Sequence, residues 1–165
     1  MVKGLMPRPD TAILEVGCGS GLMYEALAAQ VGNALNYRGV DNSEEMLRLA
    51  RKRIPFGHVA KGDAFNLVYA DNAFDIVLCF EVLGHMPDNQ GAINELFRVA
   101  KDKVVITYWA TWGKDITAGA DHYEYPRQDM LQRIAIASKG IPHLVEERQM
   151  PYTLALFITK KGGRQ

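Results

Sequence analysis

Apolar positions along this chain fall in short runs, and the runs alternate with stretches of helical spacing. Residues 13–16, 37–40, 75–81 and 103–108 are runs of four to seven residues rich in Ile, Val, Leu, Phe and Tyr, the length and content of strands buried in a sheet. Between them the apolar spacing changes to three and four. Leu22, Ala26, Leu27 and Val31 share one face of a helix that starts directly after Gly21. A second helix is expected from Ser43 to about Arg53, with Glu44 and Glu45 in its first turn and Arg48, Arg51, Lys52 and Arg53 towards its end, an order that suits the helix dipole. Residues 58–61 read as a short edge strand. Asp88 or Asn89 caps a third helix, whose Ile93, Leu96 and Phe97 face inward. A fourth starts near Pro126, suited to a first turn, and runs to about Lys139, where Gly140 stops it. The runs 144–149 and 152–159 are separated by Met150 and Pro151, and they are expected to pair as a hairpin.

Strands alternating with helices predict one α/β domain over residues 1–165, an open and mostly parallel sheet with helices on both faces. Ligands bind such sheets at the carboxyl ends of the strands, where strand order reverses. Three segments carry no regular pattern. Residues 1–11 read as a lead-in punctuated by Pro7 and Pro9. Residues 65–74 are too short and irregular for a helix. Residues 109–125 form a long irregular stretch holding Trp109, Trp112, His122, Tyr123 and Tyr125, and stretches of that length are often functional.

Composition narrows the function. Lys and Arg together equal Asp and Glu at 19 each, for a formal net charge of zero, so no nucleic-acid partner held by bulk charge is expected. The basic cluster 51–53 reads as the coat of a solvated helix end. The two cysteines, Cys18 and Cys79, suit neither a disulfide framework nor a metal site, and point to a reducing, cytoplasmic setting. No apolar run reaches the length of a membrane span, and no signal-peptide core is visible at the start.

Candidate chemistry begins at the end of the first strand. Glycines at 17, 19 and 21 sit between a strand and a helix, where a backbone can turn sharply and a ligand can approach without a Cβ in its way. Asp41 follows at the end of the second strand, about 20 residues on, the place from which a carboxylate accepts hydrogen bonds from both ribose hydroxyls. Asp41 also fits a helix cap, a role Asn42 or Ser43 could fill instead. The spacing is not that of an NAD loop: the third glycine of that fingerprint would fall on Leu22.

Four segments together, ILEVGCGSG at 13–21, GVDNSEEML at 39–47, GDAFNL at 62–67 and NAFDIVLCFEVLGHM at 72–86, resemble the class I S-adenosylmethionine-dependent methyltransferases, closest to their small-molecule group. The resemblance covers residues 12 to about 109. It implies a Rossmann-like, seven-stranded sheet with an antiparallel C-terminal hairpin strand, and transfer of a methyl group to a small-molecule acceptor by in-line displacement. It also implies a cofactor site for S-adenosylmethionine and its product S-adenosylhomocysteine. Gly17, Cys18, Gly19 and Gly21 would make room for the ribose and methionyl parts, and Glu15 would help hold the ammonium group. A carboxylate inside an apolar strand needs a partner, so an ion pair is the competing reading of Glu15. Asp41 would take the ribose, with Asn42 and Met46 on the adenine side. Gly62, Asp63, Ala64 and Phe65 would serve the adenine ring, Asp63 accepting its amino group and Phe65 stacking; otherwise Asp63 is a turn residue. Phe80, Glu81 and Val82 would run beside the sulfonium. His85 stands where the family carries a His-His pair whose first member is here Gly84, and a structural hydrogen bond is its plainer reading.

No catalytic residue is assigned. Were a general base needed, His85, His122 and Tyr108 are the candidates. The aromatics of 109–125 would wall an acceptor pocket or pack the core, and Tyr125 is expected to pack. The resemblance usually includes one or two helices before the first strand that cover cofactor and substrate. With residues 1–11 as the only lead-in, the face is expected to be more open, or covered by a second copy or a partner subunit. Two other readings compete: a module or subunit of a larger methyltransferase assembly that binds S-adenosylmethionine or S-adenosylhomocysteine without catalysis, and an NAD-linked oxidoreductase.

Overall fold

The computed structural model describes residues 7–32, 35–55, 57–111, 115–118, 122–150 and 153–161. Strand β1 (Ile13–Val16) is buried at all four positions, the carboxylate of Glu15 among its three apolar residues. Helix α1 (Leu22–Val31) follows the glycine turn, and β2 (Tyr37–Asp41) pairs with β1 in parallel. Helix α2 (Glu44–Ala50) is shorter than expected: Ser43 caps it by accepting from Met46 N at 3.3 Å, and residues 51–53 leave the helix as a turn. Then come β3 (Val59–Lys61), β4 (Phe74–Phe80), a 3-10 turn at Leu83–His85, α3 (Gln90–Val99) and β5 (Ala100–Tyr108). Asn89 is the cap residue of α3, but it is the Asp88 carboxylate that accepts from Gln90 N, at 3.2 Å.

The stretch expected to be irregular is partly ordered. It forms β6 (Ala110–Thr111), β7 (Thr117–Ala118) and β8 (Tyr123–Pro126), which make a small sheet in the order β6-β8-β7. Trp112 lies outside the described residues. Helix α4 (Arg127–Ala137), β9 (His143–Gln149) and β10 (Leu154–Lys160) complete the chain.

The main sheet has seven strands in the order β3-β2-β1-β4-β5-β10-β9. Its first five strands are parallel, and β10 runs antiparallel to both neighbours, the expected closing hairpin. Alternate residues of each strand supply two cores. Leu14, Val16, Val77 and Cys79 pack beneath α3 and α4 with Ile93, Leu96, Phe97 and Ile134. Ile13, Leu78 and Val105 pack on the other face with Leu27 and Tyr37. Leu22, expected on the inward face of α1, is instead 63% exposed, while Leu27 is buried and Val31 packs against the same core. Strand order reverses between β1 and β4, which opens a crevice at their carboxyl ends. No helix among the described residues is long and apolar enough to cross a membrane.

Candidate functional site

A cavity of about 520 Å³ fills that crevice. It crosses the strand ends in sheet order: Gly62, Asp63, Ala64 and Phe65 after β3, Asp41, Asn42 and Met46 after β2, Gly17 and Gly19 after β1, and Phe80, Glu81, Val82 and His85 after β4. Thirteen of the sixteen residues singled out from the sequence therefore share one hollow, together with Val16, Val40, Ser43 and Met86, which were not singled out.

The other three lie behind it. Glu15 is buried, and its partner is the Tyr37 hydroxyl, which donates to Oε2 at 2.5 Å; no cation pairs with it in the described structure. Burial, with the Asp41 charge adding to it, pushes its carboxyl up to about 8 against the pull of the Tyr37 bond. Cys18 turns inward against Gly39 and is buried, its thiol pushed up to about 12 by desolvation and by the charges of Glu15 and Asp41. Gly21 backs onto Ile54.

The glycines prove to have different reasons. At Gly17, with φ +76°, an added Cβ would lie 2.1 Å from Val82 Cγ2, so β4's exit loop closes over the turn. At Gly19 an added Cβ would meet nothing within 4 Å.

Backbone amides and carboxylates hold the loop. Gly17 N and Cys18 N both donate to Val40 O, at 2.8 and 3.0 Å. Asp41 accepts from Gly19 N through Oδ2 and from Ser43 N through Oδ1, each at 2.8 Å. It thus straps the glycine turn to the start of α2, a strut as well as a ligand candidate. Asp63 is likewise a turn residue, its Oδ1 accepting from Phe65 N at 2.9 Å. The basic cluster is not all solvent coat: Arg53 donates to Ser20 O at 3.2 Å and pairs with Glu25 at 3.4 Å. Arg98 on α3 fastens the segment after β3, donating to Leu67 O at 2.8 Å and Tyr69 O at 2.7 Å while gripping Glu95. Neither arginine carried a local motif that could have revealed it; each acts on residues about thirty positions away.

The exit of β4 is built differently. Glu81 takes φ +59°, a conformation rare for a residue with a side chain. Thr107 on β5 holds it there: the buried hydroxyl accepts from Glu81 N at 3.0 Å and donates to Oε1 at 2.6 Å. Next to it, Trp109 lies over Gly84, where an added Cβ would be 2.5 Å from the ring. The space of the missing first histidine is thus filled by the indole. Trp109 meets His85 edge-on at 5.6 Å and lies against His122 at 4.3 Å. Of the three candidate bases, only His85 lines the cavity. Tyr108 is fully buried, its hydroxyl has no hydrogen-bond partner among the described residues, and desolvation raises its pKa, so it cannot act as the base. Tyr125 packs as expected, fully buried, with its hydroxyl donating to Met86 O.

Residues 14–107 match the model of a family described as a methyltransferase domain. The chain belongs to this methyltransferase family. It is 39% identical over 105 residues to a demethylmenaquinone methyltransferase of Lactobacillus johnsonii, a match covering 60% of the chain and 43% of the relative. The chain thus spans less than half the length of this curated relative. Among solved structures, a Thermotoga maritima S-adenosylmethionine-dependent methyltransferase described as a possible histamine N-methyltransferase superposes with a TM-score of 0.72 at 21% identity, over 97% of this chain and 86% of that one. A magnesium protoporphyrin IX methyltransferase from Synechocystis, with S-adenosylhomocysteine bound, gives 0.72 at 18% identity, over 97% and 78%. At these identities the structures establish the methyltransferase fold, and the sheet order and closing hairpin agree with it.

Proposed function

We propose that this methyltransferase domain binds S-adenosylmethionine in the cavity and transfers its methyl group to a small-molecule acceptor. One observation carries the reading: groups of the right chemistry follow each other across the strand ends in the order of the ligand's parts. Asp63, with Oδ1 engaged by its own turn, offers Oδ2 to the adenine amino group, beside the N–H of Ala64 and the half-exposed ring of Phe65. Asp41 offers the remaining lone pairs of both oxygens to the ribose hydroxyls. The turn at Gly17 and Gly19 takes the methionyl part, and Glu15, buried behind it and protonated until the ligand binds, would give up its proton to answer the ammonium group. The fit is a matter of donor chemistry and cradle: three carboxylates and no lysine or arginine among the residues lining the cavity suit a ligand with two cationic groups.

When bound, S-adenosylmethionine supplies a methyl group activated by its sulfonium. The chain's part is to align and desolvate. Phe80, Val82 and Met86 exclude water near the β4 end, and Asp41 fixes the ligand's register along the crevice. The match to a demethylmenaquinone methyltransferase and the likeness to a porphyrin methyltransferase support a small-molecule acceptor.

The test is mass spectrometry of the purified protein for retained S-adenosylhomocysteine, then calorimetry with S-adenosylhomocysteine and with NADH, then a methylation screen. Binding of S-adenosylhomocysteine and not NADH, with label reaching a small molecule, is the expected result. NADH binding alone would overturn the reading, and cofactor binding without transfer to any acceptor would mark a non-catalytic module.

A further inference from the structure

Glu15 and Tyr37 meet through a gap in β2. In the parallel register Glu15 on β1 stands opposite Gly39 on β2. An added Cβ at Gly39 would lie 2.9 Å from the Tyr37 hydroxyl and 2.9 Å from Cys18 Cβ. The room that a side chain would take there is the room through which Tyr37, two residues earlier on the same face, reaches Glu15. The hydroxyl donates to Glu15 Oε2 at 2.5 Å, and Tyr24 of α1 stands edge-on to the Tyr37 ring at 5.2 Å. Tyr37 is fully buried and Glu15 is 3% exposed, two residues before the turn whose Gly17 and Gly19 line the cavity.

The groups that face Glu15 are neutral or negative. Strand β2 brings Tyr37 and, at its end, Asp41; the glycine turn brings Cys18; β4 brings Cys79. Arg38, the one basic residue of β2, points to the other face and donates to Tyr37 O at 3.0 Å. A carboxyl buried with no cation is held as the neutral acid, and the Tyr37 bond, which favours the carboxylate, only partly offsets this.

We propose that Glu15 and Tyr37 form a proton-coupled receptor for the amino group of S-adenosylmethionine and its product, with Tyr37 as the positioning residue. The arriving ammonium takes over from the proton on Glu15. Glu15 loses its O–H proton to solvent, the ligand keeps its three N–H bonds, and the Tyr37 hydroxyl holds the carboxylate that forms. This inference rests on the methyl-transfer reading and adds a pH-dependence confined to ligands that carry the amino group. Affinity for such ligands climbs as pH rises towards about 8, where Glu15 ionises unaided, and then levels.

Calorimetry with S-adenosylhomocysteine in two buffers of different ionisation heat reads the protons released. The wild type should release about one proton per site near pH 7, and its affinity should rise by up to about tenfold per pH unit from about pH 6 towards 8. 5′-Methylthioadenosine, a related nucleoside thioether without the amino acid, should bind with no release and with affinity level within about twofold over that range. Glu15→Gln should abolish the release and level the S-adenosylhomocysteine profile, with methylthioadenosine affinity within about twofold of wild type. Tyr37→Phe removes the bond that favours the carboxylate, so near pH 7 S-adenosylhomocysteine should bind about tenfold more weakly and its climb should continue past about pH 8. Gly39→Ala, whose methyl would crowd the hydroxyl, should move the profile the same way and serves if Tyr37→Phe does not fold. Equal weakening of both ligands at every pH in these two variants would make Tyr37 structural alone and overturn its role. Wild-type binding without proton release, a release that survives Glu15→Gln, or the same pH-dependence for methylthioadenosine overturns the inference while the methyl-transfer reading stands. Failure of the wild type to bind S-adenosylhomocysteine at any of these pH values overturns both.

Discussion

The two ends of the cavity are built from different materials. At the β1–β3 end the contacts are made by backbone: amides of Gly17, Cys18 and Gly19 on Val40 O and Asp41, and Gly62 N on Asp41 O at 3.0 Å. At the β4–β5 end they are made by side chains brought from distant parts of the chain. Trp109 lies on Gly84, Tyr125 reaches Met86 O, and Asn89 donates to Leu83 O at 3.2 Å while Arg133 donates to Asn89 Oδ1 at 3.2 Å. On the proposed reading, a backbone cradle that depends on a few residues to let the chain pass would read one ligand, and a side-chain wall that changes shape with every substitution would be where acceptor choice is free to vary.

Four variants would break or sharpen this contrast. The largest effect is expected at Gly17→Ala, where a positive φ and a 2.1 Å approach to Val82 coincide. Stability should fall by about 3 kcal/mol or more, read by denaturant melts, and S-adenosylhomocysteine binding should be lost. Unchanged stability would mean that β4's exit loop moves freely and that the cradle is not rigid.

Glu15→Gln tests the layer behind the cradle. The folded carboxyl titrates near 8 rather than 4.5, so between those values the folded state holds a proton that the unfolded state has released. That contribution is fully present below about pH 4.5 and is lost as pH rises towards 8. Wild-type stability should therefore decline over this window by an amount on the order of a few kcal/mol, and the variant should flatten the decline. Parallel profiles would show that the Tyr37 bond keeps Glu15 ionised.

Asp41→Ala removes two struts and, on the proposed reading, both ribose acceptors. Hydrogen bonds to a charged group are worth about 1.5–3 kcal/mol each, so affinity for S-adenosylhomocysteine should drop at least about tenfold and the melting point should fall with it. Lowered stability with unchanged affinity would leave Asp41 a strut alone.

The smallest effect is expected at Gly84→Ala. The new methyl would meet the half-buried Trp109 ring at 2.5 Å and Tyr123 O at 3.2 Å, an overpacking that costs about 1 kcal/mol or more. S-adenosylhomocysteine affinity should stay within about twofold of wild type in calorimetry, while acceptor turnover changes. An equal loss of cofactor affinity would show that the two ends are coupled.

The short apolar runs and the glycine turn determined most of the fold: β1, β2, β4, β5 and the closing hairpin fall within a few residues of expectation, because burial on both faces leaves a run of Ile, Val and Leu little choice. Of the cavity residues after β1, β2 and β3, the glycine turn and Asp41 were legible from spacing, and the others only through the motifs of the family resemblance; their partners are close in sequence or fixed by strand pairing. Only the tertiary structure decided the rest. That Asp41 is a strut, that Glu15 answers to Tyr37, and that Tyr108 is buried depend on contacts set by the order of strands. The stretch 109–125 shows the limit most clearly. Its strands are two to four residues long, too short for periodicity to register, and they exist because Trp109, Tyr123 and Tyr125 find Gly84, Met86 and one another across the fold. The same holds for the Glu81–Thr107 clamp, which two residues 26 positions apart make only once β4 and β5 lie side by side.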